Sequence, residues 1–231
     1  MAHGKDTKVF VDEYDWTTQF RNSSGIPGSV DMAENSTYGS EDKTYEPGLG
    51  DAAPTLEGIL TDSVVQIIAA WKDGKATHLF TRALDGGAVG GAADSFEAFL
   101  QAMDQPAPVG DIVVSTLNLQ AQGGVDEGVM LEDGVTSRVA PGDGTSVDNS
   151  ASSPDGGVGY LHVLEFTGTD IDITVQDSPN DSTWADVVNF TQVTGVGSER
   201  VEAAGTVDQY LQAEWSGTFT SCLFVVVFAR Y

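Results

Sequence analysis

The chain has 231 residues, with 35 Asp and Glu against 10 Lys and Arg, and a formal net charge of −25. That balance excludes direct binding to nucleic acid or to an anionic membrane, because neutralising phosphates needs clustered bases. A hydrophobic content of 40% exceeds what an acidic disordered chain carries, and 27 glycines suit tight turns between many strands.

Self-repulsion at this charge loosens a compact fold at low salt. It is screened in molar salt, where the Debye length falls to about 3 Å. The acids run along the whole chain and form no tail, which favours adaptation to a salt-rich interior or medium over an ordinary acidic protein. The single cysteine, Cys222, can form no intrachain disulfide and reads as a small buried hydrophobe. The start of the chain lacks an apolar secretory region. The longest apolar run, Cys222 to Ala229, is too short to span a bilayer. The expectation is a soluble protein that stays in the cell where it is made or leaves by lysis or assembly.

In chain order, "TKVFVDEYDWTTQF" predicts a strand, a turn at Asp12–Glu13 and a second short strand. "SVDMAENSTY" has strand composition, "GSEDKTY" reads as a hairpin tip or loop, and "APTLEGIL" alternates as a strand again. Val64, Val65, Ile68 and Trp71 recur near helical spacing. A helix is therefore expected over 63–72, with Asp62 or Ser63 as cap and Gly74 just past its end. Its β-branched residues leave a strand open as the alternative.

"KATHLFTRAL" is a strand, and "SFEAFLQAM" fits a helix and a strand equally well. "GDIVVSTLNLQAQG" is a strand with Val113, Ser115, Leu117 and Leu119 on one face. A domain boundary is placed near 123–128, giving domains 1–125 and 126–231, and "APGDGTSVDNSASSPDGGVG" reads as a long exposed loop. Beyond it, "YLHVLEF", "DIDITVQDS", "WADVVNF", "RVEAAG", "QYLQAEWS" and "FTSCLFVVVFAR" read as short, regularly spaced strands of a sandwich or barrel. Ile171, Ile173 and Val175 face inward. The last run is apolar on both faces, as in a central strand covered on both sides.

Few residues carry chemistry. Of the histidines, His3 sits at the start, and His78 and His162 fall within strands, where a core or sheet-surface role is the default. No HxxxH pair or cysteine partner supports zinc. No GxSxG, HExxH or phosphate-loop pattern occurs, and "DGGAVGGAAD" lacks the Lys-Ser/Thr of a phosphate loop. With 35 acids, some carboxylate pair suits a glycosidase by chance. "DSPNDSTWAD" is closer to a hairpin turn than to a calcium loop. Trp184, Trp215 and Tyr210 are candidates for a carbohydrate-binding module, but Trp215 alternates with Leu211 and Ala213 and so belongs to a core.

The opening "HGKDTKVFVDEYD", the "VDMAENSTYG" followed by "KTYEPGL", and "TLEG" resemble the N-terminal part of major tail (tail tube) proteins of siphovirus-like tailed phages and archaeal viruses. "DSTWADVVNFTQVTG", "GTVDQYLQAEW" and "VVVFARY" resemble the end of such proteins. The resemblance implies a mainly β fold: a β-sandwich or barrel tail-tube domain with one flanking α-helix, plus a C-terminal β-sandwich-like domain. That extra domain is left open between an outward decoration and a second tube-like domain. It implies no enzyme and no cofactor.

The implied role is a virion structural protein that polymerises with itself into stacked rings, forming the channel for genome ejection. Implied partners are further tail proteins (tape measure, tail terminator, distal tail protein) and DNA that passes through without specific binding. The implied place is the virion tail, assembled in the host cytoplasm. The acidity adds the expectation of a halophilic host. Family members bridge subunits with extended loops, and the matching segment is Asn35 to Gly50, with Asn35, Tyr38, Glu41, Lys43, Tyr45, Pro47, Gly48 and Leu49 as assembly residues. A DNA channel should be lined by acids or neutral groups, which places Lys43, Lys72, Lys75 and Arg82 at subunit contacts or outside. Two rival readings are a head decoration or capsid-surface protein and a carbohydrate-binding β-sandwich module.

Overall fold

The structure, a computed structural model, describes every residue except 1–3, 37–41, 44, 107, 108 and 110, and the backbone alone at 30–33 and 47–50. The strands of the first half are β1 (Lys8–Val11), β2 (Tyr14–Asp15), β3 (Phe20–Ser24), β4 (Ser29–Glu34), β5 (Tyr45–Asp51), β6 (Thr55–Gly58) and β7 (His78–Ala83). Helix α1 (Asp62–Gly74) lies between the last two. Then follow β8 (Ala92–Asp104), β9 (Ser115–Asp133), β10 (Gly142–Asp143), β11 (Val147–Asp148), β12 (Gly157–Ser178), β13 (Ala185–Asn189), β14 (Gly197–Ala203) and β15 (Tyr210–Arg230). The fold is thus mainly antiparallel β with one α-helix among the described residues. No helix among them is long and apolar enough to cross a membrane.

Packing gathers the chain into two compact units that are not consecutive halves. One holds residues 1–18, 78–95 and 126–231, and the other holds 19–77 and 96–125. The sequence reading divided the chain at 125/126. Here β9 runs unbroken from Ser115 to Asp133 through that point, and residues 1–18 and 78–95 pack with the C-terminal part.

In the first unit β15 is the central strand. It pairs with β12 on one side and with β9 on the other. Its run from Phe224 to Ala229 is buried throughout, and alternation sends the side chains to two cores. Phe224, Val226 and Phe228 enter one cluster with Leu131, Leu161, Ile173 and Trp215. Val225, Val227 and Ala229 enter another with Phe10, Leu79, Ala93, Met130, Val158 and Tyr160. Burying each large apolar side chain stabilises by roughly 1.5–3 kcal/mol. The expectation of a strand covered on both faces is met here for that physical reason.

Of the six short strands expected in the last third, "WADVVNF" and "RVEAAG" form β13 and β14, while the other four merge into two long strands of 22 and 21 residues, paired along their whole length. What the sequence shows as breaks are register shifts at Val163/Glu165, Thr167/Gly168 and Gly168/Asp170, where the ribbon bends without ending. The bend folds the far half onto the near half. A Cβ on Gly159, near the start of β12, would meet Val188 and Phe190, which accompany its far half. Those positions would lie tens of ångströms apart along a straight strand at ~3.3 Å per residue. Glycine is required at the corner: Gly217 has φ +123°, and a Cβ there would stand 2.8 Å from the Asp170 carbonyl.

The segment expected as a long exposed loop is also pinned. Through β10 and β11 it pairs with β15, and Ser153 bridges Val207.

The near part of this sheet runs β12, β15, β9, β8, β7, β1, β2, with β14 beside β12. Its ends meet around the second core: Ser198 of β14 donates to Asp12 Oδ1 (3.2 Å) in the β1–β2 turn, and His162 of β12 reaches both Thr81 of β7 and the Asp12 carbonyl. The sheet therefore closes in the manner of a barrel.

In the second unit β6 pairs with β3 and with the first residues of β9, and Leu56, Phe96, Leu117 and Leu119 are buried. Helix α1 forms where expected and buries Val64 and Ile68, one turn apart. Its ends differ from the sequence reading. Thr61 holds the N-cap position, and its backbone N–H donates to Gln19 Oε1 (2.9 Å). Gly74 remains helical, and Lys75 adopts the left-handed conformation (φ 51°), donating its N–H to the Trp71 carbonyl. "SFEAFLQAM", open between helix and strand, is strand within β8.

Candidate assembly surface

The acidic segment of the second unit folds as a hairpin. Strands β4 and β5 pair antiparallel, Ser29 opposite Asp51 and Glu34 opposite Tyr45, with a register shift between Val30 and Met32. They make a two-stranded sheet of their own and join no other strand among the described residues. The base is fixed: Gln120 of β9 donates to Asp51 Oδ1 (2.7 Å), and the Ala121 N–H donates to the Ala52 carbonyl (2.9 Å). Beyond the base, both outer edges present backbone donors and acceptors with no strand partner in the described chain. A lone two-stranded hairpin is marginal in water, and its open edges are pairing templates.

The expected assembly residues fall as follows. Asn35 is exposed just past β4. Lys43 pairs with Glu34 (2.7 Å), both well exposed, so it crosses the hairpin near its tip. Tyr45 opens β5 and is 48% exposed. Pro47 lies in β5 opposite Met32, and Gly48 and Leu49 fall where the register shifts. Pro47 has no amide hydrogen, which suits an edge and not a strand interior. Tyr38 and Glu41 lie outside the described residues. Four of the eight thus sit in a strand. "YEPGLG" did not show this, because proline and glycine count against strands in any local reading.

The polar groups elsewhere serve the fold. His162 is fully buried. Its Nδ1 lies 2.7 Å from the Asp12 carbonyl, which can only accept, so Nδ1 carries the proton and Nε2 accepts from the Thr81 hydroxyl (2.8 Å). Thr81 in turn meets Ser95 (2.8 Å). Loss of solvation lowers the His162 pKa to about 4, so the ring is neutral at pH 7. Asp12, with φ 47°, accepts from the Leu79 N–H (2.8 Å) and meets His78 Nδ1 (2.6 Å). Sequence reading saw Asp12 only as a turn residue; the pattern Asp-Glu between two strands carries no sign of this second duty.

Three of the less exposed carboxylates hold arginines: Asp94 with Arg82, Glu132 with Arg138, and Asp126 with Arg200. Burial pushes the Glu132 carboxyl above the usual range despite Arg138. Arg138 also lies over Trp215, 4.8 Å from the ring centre. Trp215 is buried, with its indole N–H on the Ala140 carbonyl (2.9 Å), which places it in the core and not on a sugar platform. Arg82 is half-buried and pairs with Asp94 of its own chain. "DSPNDSTWAD" is a hairpin turn in which Asn180 Oδ1 accepts the N–H groups of Ser182 and Thr183.

The chain is, then, a β protein with a closed sheet, a folded-back ribbon and a free-standing acidic hairpin. No family model and no curated sequence matches it. Solved structures resemble it at low sequence identity, and three of them are representative. The sheath–tube complex of the PVC extracellular contractile injection system is 19% identical, covering 53% of this chain and 88% of that one, with TM-score 0.42. The SPP1 tail tube is 13% identical over 55% and 78%, with TM-score 0.43. The SPP1 Dit protein, of the hub adsorption apparatus in phages infecting Gram-positive hosts, is 13% identical over 97% and 99%, with TM-score 0.40.

Proposed function

We propose that this chain is a structural subunit of a viral tail, a major tail tube protein that polymerises into stacked rings around a channel for genome delivery. The resemblance of both ends of the sequence to tail tube proteins motivates the reading. The observation that carries it is the β4–β5 hairpin, anchored at its base, without a strand partner on either edge among the described residues, and of a size that is marginal alone in water. In this reading the hairpin orders against an adjacent subunit. The acidic surface keeps a polyanion from sticking to the channel wall, since like charges repel. Tape measure, terminator and distal tail proteins would be the partners at the ends of the tube, and a salt-rich host would screen the repulsion between subunits.

Electron microscopy of the purified protein in molar salt tests this: stacked rings or tubes are expected, and a strictly monomeric protein at every concentration and salt refutes it. Deleting residues 38–46 should leave the circular dichroism of the isolated chain nearly unchanged and abolish tubes. Normal tubes from the deletion variant would reduce the hairpin to an ordinary surface feature.

A further inference from the structure

The ten basic residues divide unevenly. Arg21 pairs with Glu57, Lys43 with Glu34, Arg82 with Asp94, Arg138 with Glu132, and Arg200 with Asp126 and Glu202. Lys8 donates to the Asp133 carbonyl, and Arg230 donates to the Asn149 and Ala151 carbonyls. Lys5 is engaged within the chain as well. Among the described residues, the two cations left without an intramolecular partner are Lys72 and Lys75, three residues apart at the C-terminal end of α1, both exposed.

A chain of net charge −25 offers more than enough acids to occupy every base. Two lysines left open on one helix end, one of them fixed in a left-handed cap bonded to the Trp71 carbonyl, therefore mark a place where an acidic group is to arrive from outside. The same chain supplies a matching element. The hairpin region 29–51 carries Asp31, Glu34, Glu41, Asp42, Glu46 and Asp51 against the single Lys43, which Glu34 occupies. Docked on any ordinary face of a second copy it would meet like charge, which costs several kcal/mol.

We infer that the C-terminal end of α1, with Lys72 and Lys75, is the landing site for the acidic β4–β5 hairpin of a second copy of this chain. The inference rests on the self-assembly proposed above and names the surface through which it occurs. The outward helical positions before the lysines, Gln66, Ala69 and Ala70, are uncharged and exposed, and the exposed Asp73, the one acid of the last helical turn, is flanked and outweighed by the two lysines. Lys72 and Lys75 at the negative end of the helix dipole are themselves favourably placed. Attraction of this kind sets partner choice and register more than total affinity.

The test mixes unlabelled and nitrogen-15-labelled full-length protein, assembles it at the lowest salt that gives tubes, and links contacting lysines to carboxylates with a carbodiimide. Mass spectrometry should find mixed-isotope links from Lys72 or Lys75 to hairpin acids. The double variant Lys72→Gln/Lys75→Gln should keep the circular dichroism of the parent, melt slightly lower because two charges leave the negative end of the helix, and need about tenfold more protein to assemble, as expected for the loss of two exposed ion pairs per contact. Tubes without mixed-isotope links at these lysines, or a double variant that assembles like the parent, overturn the landing site and leave the tube intact. A parent chain that never assembles overturns both.

Discussion

Acid should weaken the barrel closure through one buried ring, and the size of the effect follows from the geometry around His162. Folded, the ring is neutral, its Nδ1 proton on the Asp12 carbonyl and its Nε2 facing Thr81, and its pKa lies near 4 against 6.5 when free. Between these values the unfolded chain takes up a proton that the folded chain refuses, so stability falls as pH falls. It is complete above pH ~6.5 and declines until the folded pKa near 4 is passed. At 1.36 kcal/mol per unit, the loss is about 3 kcal/mol, a large part of the 5–15 kcal/mol typical of a domain. Glu132 and Asp177, held above their ordinary values by burial, act with the opposite sign. The measurement is therefore a difference. Urea unfolding of dilute protein in molar salt is followed from pH 7.5 to 4.5 for the parent and for His162→Asn, in which an amide replaces the ring and nothing titrates. The variant should be less stable at pH 7.5 and lose about 2.5 kcal/mol less over the range. Parallel curves for the two proteins would refute the assignment of a buried neutral imidazole.

The remaining expectations concern the ribbon, the core and the charge. Gly217→Ala should cost more than 1 kcal/mol, because φ +123° and the Asp170 carbonyl at 2.8 Å leave no room for a methyl group, while Gly195→Ala, in open space, should be nearly silent in the same melts. Phe224→Ala should cost about 3–5 kcal/mol in denaturant unfolding, since the ring is buried edge-on to Trp215 at 5.6 Å. The melting temperature should rise steadily from tens of millimolar to molar salt as the charge of −25 is screened; a flat response would remove the argument for a halophilic host and leave the tube reading in place.

Local pattern made α1, the β1–β2 turn and the inward row Ile171, Ile173 and Val175 legible, because each is written in the spacing of adjacent residues. It missed what depends on distant residues. The break between "YLHVLEF" and "DIDITVQDS" is a bend within one strand, and only the partner strand makes it so. The sequence 140–159, poor in large side chains, has ordered backbone because β15 offers it a free edge. The lysines at 72 and 75 were named among four candidates, and only the ion pairs of the others set them apart. Asp12, the meeting point of strands far apart in the chain, had no local signature at all.

The central position of β15 has a consequence for synthesis. Residues 210–230 supply the partner for β12, β9, β10 and β11 and side chains to both cores, so the first unit cannot close until they have left the ribosome. At about 5–20 residues per second, the strands from Lys8 onward wait ten seconds or more, on that order, with their edges open. Chains this dependent on distant pairing fold slowly and are exposed to aggregation meanwhile. A net charge of −25 is protective in that interval, since it keeps unfinished copies apart. The same arrangement acts as a timer: a chain without β15 lacks the closed unit, so under the assembly proposed above only chains with β15 in place are competent to join. Protease protection of ribosome-bound chains should accordingly appear in one step, once β15 emerges, and a gradual gain would count against it.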